Sequence, residues 1–363
     1  MAKPVVVGIS GGVDSAVAAA LLKKQGHDVV AVFMKNWEEE GDDGVCTVQE
    51  DYDMVRGVCQ KLNIPYYTAN FTREYRDRVF SDFLRELEAG RTPNPDVLCN
   101  REIKFKAFLD MAMQLDAQNL ATGHYAQLGF DKQGRRTLLR GADPNKDQSY
   151  FLYMLSQPAL SKALFPVGHM YKSDVRAIAA ELGLPNATRK DSTGICFIGE
   201  RNFSRFLSEH LTSKSGNIVN TDGKVLGRHD GLIFYTIGQR KGLNVGGKPE
   251  PLFVIATDVD RNTIYVGMGD RHPGLYRRGL RIRPEEMHWV RPDLAPQNGD
   301  TSMREYLVRI RYRQPLQKAV LHIDDNGWGM IDFAEPQRGI TAGQFAAWYA
   351  PDGELVGSGV IDA

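Results

Sequence analysis

The sequence predicts an α/β fold, a parallel sheet flanked by helices, followed by a mainly β half. Two observations carry this. In the first part, apolar runs at 5–9, 29–34, 65–70 and 120–123 alternate with helix-like segments at about 14–25, 51–62, 73–89 and 100–115, the order that builds parallel sheets. Beyond about residue 212, short strands take over, punctuated by Thr221-Asp222-Gly223, Asp260-Arg261-Asn262, Asp324-Asp325-Asn326-Gly327 and Pro351-Asp352-Gly353, which are turn-forming clusters. At 363 residues the chain exceeds what one core organises, so about two or three domains are expected.

Taken in order, the run at 5–9 leads into Ser10-Gly11-Gly12-Val13-Asp14-Ser15 and then into an alanine-rich helix. A ligand of such a sheet lies at the carboxyl ends of its strands, where the Ser10 loop, Met34 and Gly123-His124 converge. Residues 125–140 read as a hairpin around Asp131-Lys132-Gln133-Gly134, and 173–182 as an amphipathic helix ended by Gly183. A short helix is expected at 202–210. In the β half, a weak boundary near 281–284 separates a compact glycine-rich module from a segment with enough strands for a small barrel.

Lysine plus arginine balances aspartate plus glutamate at 45 each, which excludes a uniformly basic protein but not local patches. Charge is segregated: 38–53 holds eight acidic residues and no basic one, whereas 271–291 carries six arginines against Glu285 and Glu286. With no charged-then-apolar leader and no apolar span near 18 residues, a cytoplasmic location is expected. In that reducing setting the four widely spaced cysteines suggest neither a disulfide framework nor a compact zinc site.

The glycine pair lets backbone N–H groups close on an anion, and the following helix adds its positive end. Ser10 and Ser15 add hydroxyl donors. A Walker motif needs a lysine before its Ser/Thr, and a dinucleotide fingerprint needs other glycine spacing; the loop has neither. An ordinary strand-to-helix turn is the plain alternative. The full six-residue pattern resembles instead the PP-loop of ATP pyrophosphatases, which hold pyrophosphate while ATP is cleaved between its α and β phosphates.

Cys99, in Asn94-Pro95-Asp96-Val97-Leu98-Cys99-Asn100, precedes an expected helix containing Arg101, Lys104 and Lys106. A helix N-terminus and nearby cations favour thiolate, and an inert core cysteine fits position 99 equally well. Cys196 lies in a turn-rich segment near Arg189, Lys190 and Arg201, while Cys46 and Cys59 are weaker candidates. Asn94-Pro95-Asp96 suits either recognition of a planar hydrogen-bonding substrate or a turn, and Asn145-Lys146-Asp147-Gln148-Ser149 either substrate contact or a helix cap. Strand alternation puts Arg309, Arg311 and Arg313 on one face, a stripe able to track phosphates or merely a solvated barrel face.

Together, Gly8-Ile9-Ser10-Gly11-Gly12-Val13-Asp14-Ser15, the Asn94 to Cys99 run, Ala121-Thr122-Gly123-His124-Tyr125, Lys146-Asp147-Gln148-Ser149-Tyr150-Phe151 and Gly194-Ile195-Cys196-Phe197-Ile198-Gly199 resemble the tRNA-specific 2-thiouridylase family, MnmA. The resemblance implies a PP-loop catalytic domain over 1–211, a central β-rich tRNA-binding domain over 212–280 and a C-terminal β-barrel over 281–363. It implies that ATP, with Mg²⁺, adenylates the 2-oxygen of the wobble uridine, at tRNA position 34, and that persulfide sulfur replaces that oxygen, giving AMP and pyrophosphate. Cys196 then corresponds to the persulfide carrier and Cys99 to the nucleophile that attacks it, releasing sulfide or completing transfer with a Cys99–Cys196 disulfide, while Asp96 faces the uracil. Gly8 to Ser15, Met34 and Gly123 match the ATP site. Asn94, Pro95, Asp96, His124, Lys146, Asp147, Gln148, Arg311, Tyr312 and Gln344 match positions contacting tRNA. The implied partners are the tRNAs for Lys, Glu and Gln and an upstream persulfide relay protein or cysteine desulfurase. Two other readings are a PP-loop ligase acting on a small metabolite, which needs no cysteine pair, and a non-enzymatic tRNA-binding protein, which needs no PP-loop.

Overall fold

A computed structural model describes residues 3–37, 47–191, 203–297 and 299–362. Strands β1 (Val5–Ile9), β2 (Val29–Lys35), β3 (Tyr66–Asn70) and β4 (Asn119–Ala121) are followed by the antiparallel hairpin β5 (Ala126–Phe130) and β6 (Arg136–Arg140) and by the short β7 (Ala163–Leu164). The main sheet has the order β3-β2-β1-β4-β7 with every pair parallel. Val6 packs into one core and Val5, Val7 and Ile9 into another, so β1 is covered on both faces, as the near-continuous apolar run required. The order reverses direction between β1 and β4. That switch point puts the loop after β1 beside the residues after β4, the usual ligand crevice of an open parallel sheet.

Helices Val13–Lys24 and Lys172–Glu181 fall where expected, and Gly183 (φ +59°) ends the second. The expected helix at 73–89 is built of three pieces, with a π-type turn over Arg76–Phe80. The helix expected at 100–115 starts earlier, at Pro95 with Asn94 as N-cap, and is π-type over Cys99–Ala107 before continuing over Phe108–Gln114. Pro95 needs no N–H in the first turn, which is why the helix nucleates there.

The second sheet comprises β8 (Gly216–Asn220), β9 (Val225–His229), β10 (Leu252–Asp258) and β11 (Thr263–Met268) in the order β10-β11-β8-β9. Strands β12 (Tyr276–Trp289), β13 (Arg304–Arg309), β14 (Gln317–Ile323), β15 (Gly329–Arg338), β16 (Phe345–Tyr349) and β17 (Leu355–Ile361) close an antiparallel barrel. Its first strand begins at Tyr276, ahead of residue 281, and the compositional break near 281–284 lies inside it. There, between Ile282 and Met287, the pairing with β17 is irregular; Pro284 has no N–H to give to a ladder.

The barrel is seated on the parallel-sheet unit through buried polar contacts. Tyr150 Oη donates to the carbonyls of Ile310 (3.2 Å) and Phe345 (2.9 Å). Arg309 Nη2 bonds Asp147 Oδ2 at 2.7 Å, and Ser149 and Tyr349 share a hydroxyl contact of 3.1 Å. Among the described residues no helix is long and apolar enough to cross a membrane.

Candidate active site

The loop after β1 folds on itself. Ser10 N–H donates to Ser15 Oγ (3.2 Å), and Ser15 Oγ donates to the carbonyl of Gly12 (3.1 Å). Gly11 sits at φ +79°, where a side chain is strained, and a Cβ there would meet Arg189 Nη1 at 2.9 Å and the Asp51 carbonyl at 3.0 Å. Gly12 caps helix Val13–Lys24 without any side-chain bond, which leaves the helix's first N–H groups for an anion.

Gly123 closes the other side. A Cβ on it would lie 2.6 Å from the Ser15 nitrogen and 2.7 Å from the Asp14 carbonyl carbon, so only glycine lets the strand β4 exit lie against the loop. At Gly8, a Cβ would come 3.8 Å from the Met34 side-chain methyl and 3.0 Å from the Phe108 ring. Gly8, Ser10 to Ser15, Met34 and Gly123 are thus brought together at the switch point.

Behind the loop is a charged cluster that the sequence did not reveal. Asp14 Oδ1 accepts from Tyr125 Oη (2.7 Å) and Lys172 Nζ (2.6 Å). Lys172 is buried and also pairs with Asp191 at 2.8 Å; Asp191 in turn accepts from Arg176 (2.7 Å) and Lys146. Burial alone would raise the Asp191 carboxyl, but the hydrogen bonds from Lys146 and Lys172 outweigh it and bring it down to about 2. Burial, then the neighbouring Asp14, raises the Tyr125 phenol, so it stays a donor at neutral pH. Asn186 Nδ2 and Arg189 Nη1 hold the carbonyl of Gly11 at 3.0 and 3.3 Å, and Arg189 pairs with Asp51. Lys172, Asp191 and Asn186 carried no local sequence signal, since they belong to a helix start and to turns far from residue 10; Arg189 was singled out only as a cation near Cys196, and Tyr125 lay in a motif but with no role attached.

Cys99 is buried, in the second turn of the helix that begins at Pro95. This corrects the expectation that Cys99 precedes a helix N-terminus: the dipole end is at Asn94. Two of the three cations expected to favour thiolate are engaged elsewhere, since Arg101 (2.8 Å) and Lys106 (2.8 Å) both bind Glu102. Asp96 is half-buried in the first turn. Its segment abuts the barrel, because Gln344 Nε2 donates to the Thr92 carbonyl at 2.7 Å and Thr92 N–H donates to that of Ala342. Cys196, with Cys46, lies outside the described residues.

Several residues matched to tRNA contact are interior. Asp147 is buried and bonded to Arg309, Arg140, Ser149 and the Gly141 N–H, so it joins the units and is no surface contact. His124 is buried against Phe105 and Phe165, with Nδ1 2.7 Å from Thr122 Oγ1, and burial holds its pKa well below the usual imidazole value. Gln148 accepts from Tyr125 N–H at 3.0 Å.

The arginine stripe does not form. Strand β13 ends at Arg309, which is buried, and Arg313 has φ +63° in the turn that follows. Gln314 Oε1 takes the Ile310 N–H at 2.8 Å and ends the ladder. Arg311 instead bonds the carbonyls of Gly339 (2.8 Å) and Ile237 (3.2 Å), tying the barrel to the central sheet unit, and Tyr312 packs on Phe151 with ring centroids 4.6 Å apart. The exposed arginines of 271–291 include Arg271, Arg277 and Arg278; Arg291 is buried among Asp131, Asp293 and Glu354.

Three family models match in chain order: a tRNA methyl transferase HUP domain over residues 3–200, a tRNA methyl transferase PRC-barrel domain over 204–268 and an aminomethyltransferase beta-barrel domain over 279–361. The tRNA-specific 2-thiouridylase MnmA of Alkaliphilus oremlandii (strain OhILAs) is 54% identical over 361 residues, 99% of this chain and 96% of its own. MnmA 1 of Geobacillus kaustophilus (strain HTA426) is 53% identical, covering 99% of this chain and 95% of its own length. The MnmA of Halalkalibacterium halodurans is 52% identical over 99% of this chain and 94% of its own.

Proposed function

The chain belongs to the MnmA family of tRNA-specific 2-thiouridylases, and from that membership we propose that it converts the wobble uridine of tRNA to 2-thiouridine in the cytoplasm, using ATP. The observation that carries the ATP reading is the close approach of Gly123 to Ser15 beside an uncapped helix N-terminus. A uracil carbonyl oxygen is a poor leaving group; transfer of AMP to it lets the oxygen depart as AMP when sulfur attacks carbon 2.

The residues present suit ATP. Backbone N–H groups after Ser10 face its phosphates, and Gly8 and Met34 border the space beside them. Mg²⁺ is consistent with this donor set only as an ion held largely by phosphate oxygens and water, because Asp14 is the one carboxylate in the loop, and no group of three candidate metal ligands occurs among the described residues. Asp96 is proposed to orient the uracil and Cys196 to carry the sulfane sulfur; Cys99 attacks Cys196 Sγ, breaking the persulfide bond, so that the Cys99–Cys196 disulfide forms as the sulfane sulfur leaves as hydrosulfide. The sulfur enters from an upstream persulfide donor, and the tRNAs for Lys, Glu and Gln are the proposed substrates. The catalytic unit is proposed to span 1–211, with 212–280 and 281–363 gripping tRNA through exposed groups such as Arg271, Arg277 and Arg278, which replace the three-arginine stripe as the candidate phosphate contacts.

The family-model descriptions favour a second reading, methyl transfer to tRNA. Incubation of the protein with unmodified tRNA, ATP, a persulfide donor and a sulfonium methyl donor, followed by nucleoside mass analysis, separates the two. Replacement of oxygen by sulfur with release of AMP and pyrophosphate is expected; an added methyl group, or stoichiometric ADP, would overturn the thiolation reading. AMP release without tRNA would favour a small-metabolite ligase.

A further inference from the structure

We propose that Lys172 supplies the cation that the loop sequence itself lacks, binding the pyrophosphate portion of ATP. This rests on the reading of the Ser10 to Ser15 loop as an ATP cradle. Phosphate-binding loops of the Walker type carry a lysine within the loop; here the loop has no cation between Gly8 and Leu22. Lys172 reaches it from helix Lys172–Glu181, 2.6 Å from Oδ1 of Asp14, which lies where the loop enters the first turn of helix Val13–Lys24.

Three features single it out. First, it is buried at 8% exposure, and a desolvated ammonium acts on an anion with little screening. Second, its ammonium is fixed beside the loop: Asp14 and Asp191 hold Nζ from two sides, and the buried Asp143 anchors its backbone N–H at 3.0 Å. Third, the other nearby cations are engaged by protein groups: Arg189, which touches the Gly11 carbonyl at 3.3 Å, is paired with Asp51. Arg176 is fixed on the carbonyls of Ala187 (3.1 Å) and Arg189 (3.0 Å), and Lys146 bonds the far oxygen of Asp191. An ammonium has three donors, of which Asp14 and Asp191 use two. Pyrophosphate oxygens are acceptors for the third.

The test is calorimetric titration of the full chain and of Lys172→Met and Lys172→Arg with inorganic pyrophosphate, ATP and AMP, each variant first melted to establish that it is folded. Lys172→Met keeps the stem and drops the charge. It is expected to weaken pyrophosphate and ATP binding by about tenfold or more, the scale of a lost charge-assisted bond, with AMP affinity unchanged. Lys172→Arg is expected to restore most of the loss. Equal weakening of AMP and pyrophosphate, or unchanged pyrophosphate affinity, would overturn the assignment, because a merely structural lysine does not distinguish the two ligands. If Lys172→Met does not fold, Lys172→Arg decides: retained pyrophosphate affinity supports the role, and pyrophosphate loss with AMP binding intact overturns the charge argument. Failure of the unmodified chain to bind either ATP or pyrophosphate would instead overturn the cradle reading beneath it.

Discussion

Asn186 Nδ2 donates to the carbonyl of Gly11 at 3.0 Å, and that bond sets the direction the phosphate loop faces. In a trans peptide the carbonyl and the next N–H point opposite ways, and the described chain has no cis peptide. Drawing the Gly11 oxygen back toward Asn186 therefore turns the Gly12 N–H outward. Arg189 Nη1 supports the same oxygen at 3.3 Å, but Asn186 is fully buried and so the more fixed of the two.

Asn186→Ala should consequently weaken ATP binding more than it weakens the fold. Removing one buried donor costs about 1–3 kcal/mol, and the freed peptide can rotate the N–H out of line. The expected result is a several-fold rise in KM for ATP with a small fall in Tm, read by initial rates and by thermal melting. An unchanged KM would mean that Arg189 alone orients the peptide.

Gly123→Ala tests the close approach from the other side. The added Cβ would sit 2.6 Å from the Ser15 nitrogen, backbone that cannot swing aside, so the loop must move. Thiolation should fall by about tenfold or more, in keeping with the sensitivity of positioned reactions to small displacements, while tRNA affinity measured by filter binding stays within about twofold. Equal losses in both would place Gly123 in the general fold and not in the nucleotide site.

Much of this was legible in the sequence. The alternation of apolar runs and helices, the Ser10 loop and its partners Met34 and Gly123 follow from local patterns whose periods differ between strand and helix. Lys172 and Asn186 were not legible, because their role comes from three-dimensional convergence of turns some 160 positions from the loop. The stripe at Arg309, Arg311 and Arg313 misled for a physical reason: alternation predicts a face only while the strand continues, and Gln314 with a left-handed Arg313 ends it. Asp147 misled likewise, since a turn-forming sequence says nothing of the barrel that later covers it.

Asp147 links the fold to pH. Burial alone would raise its carboxyl, but Arg309, Ser149 and the Gly141 N–H outweigh that and hold it below the usual value. A carboxyl lowered in the folded state adds stability above its unfolded pKa of 3.8, and that stability is lost as pH falls through the lower folded value. Asp147→Asn should therefore destabilise at neutral pH by about 3–5 kcal/mol, because Arg309 stays buried without its partner. The same variant should lose less further stability below pH 3.8 than the unmodified chain. Denaturant melts at pH 7 and below 3.8 check both signs; parallel acid curves would remove Asp147 from the linkage.

The cysteines divide by environment. Burial pushes the Cys59 thiol up to about 11, so it is almost wholly protonated at neutral pH and a poor sulfur acceptor. Cys99 sits in a π-type stretch of helix, beside Asn100, whose Nδ2 holds the Phe151 carbonyl at 3.0 Å; such stretches recur at functional sites because they re-aim a side chain within a helix. Treatment with a persulfide donor and mass mapping should find the sulfane sulfur on Cys196 in the unmodified chain and still there in Cys99→Ser, which nonetheless releases no thiolated tRNA. Cys196→Ser should carry no transferable sulfur, while both variants still adenylate the uracil and release pyrophosphate in a single turnover, the AMP staying bonded to the tRNA. Sulfur on Cys59, or full turnover by Cys99→Ser, would require a different nucleophile and would leave the helix at Pro95 a purely structural element.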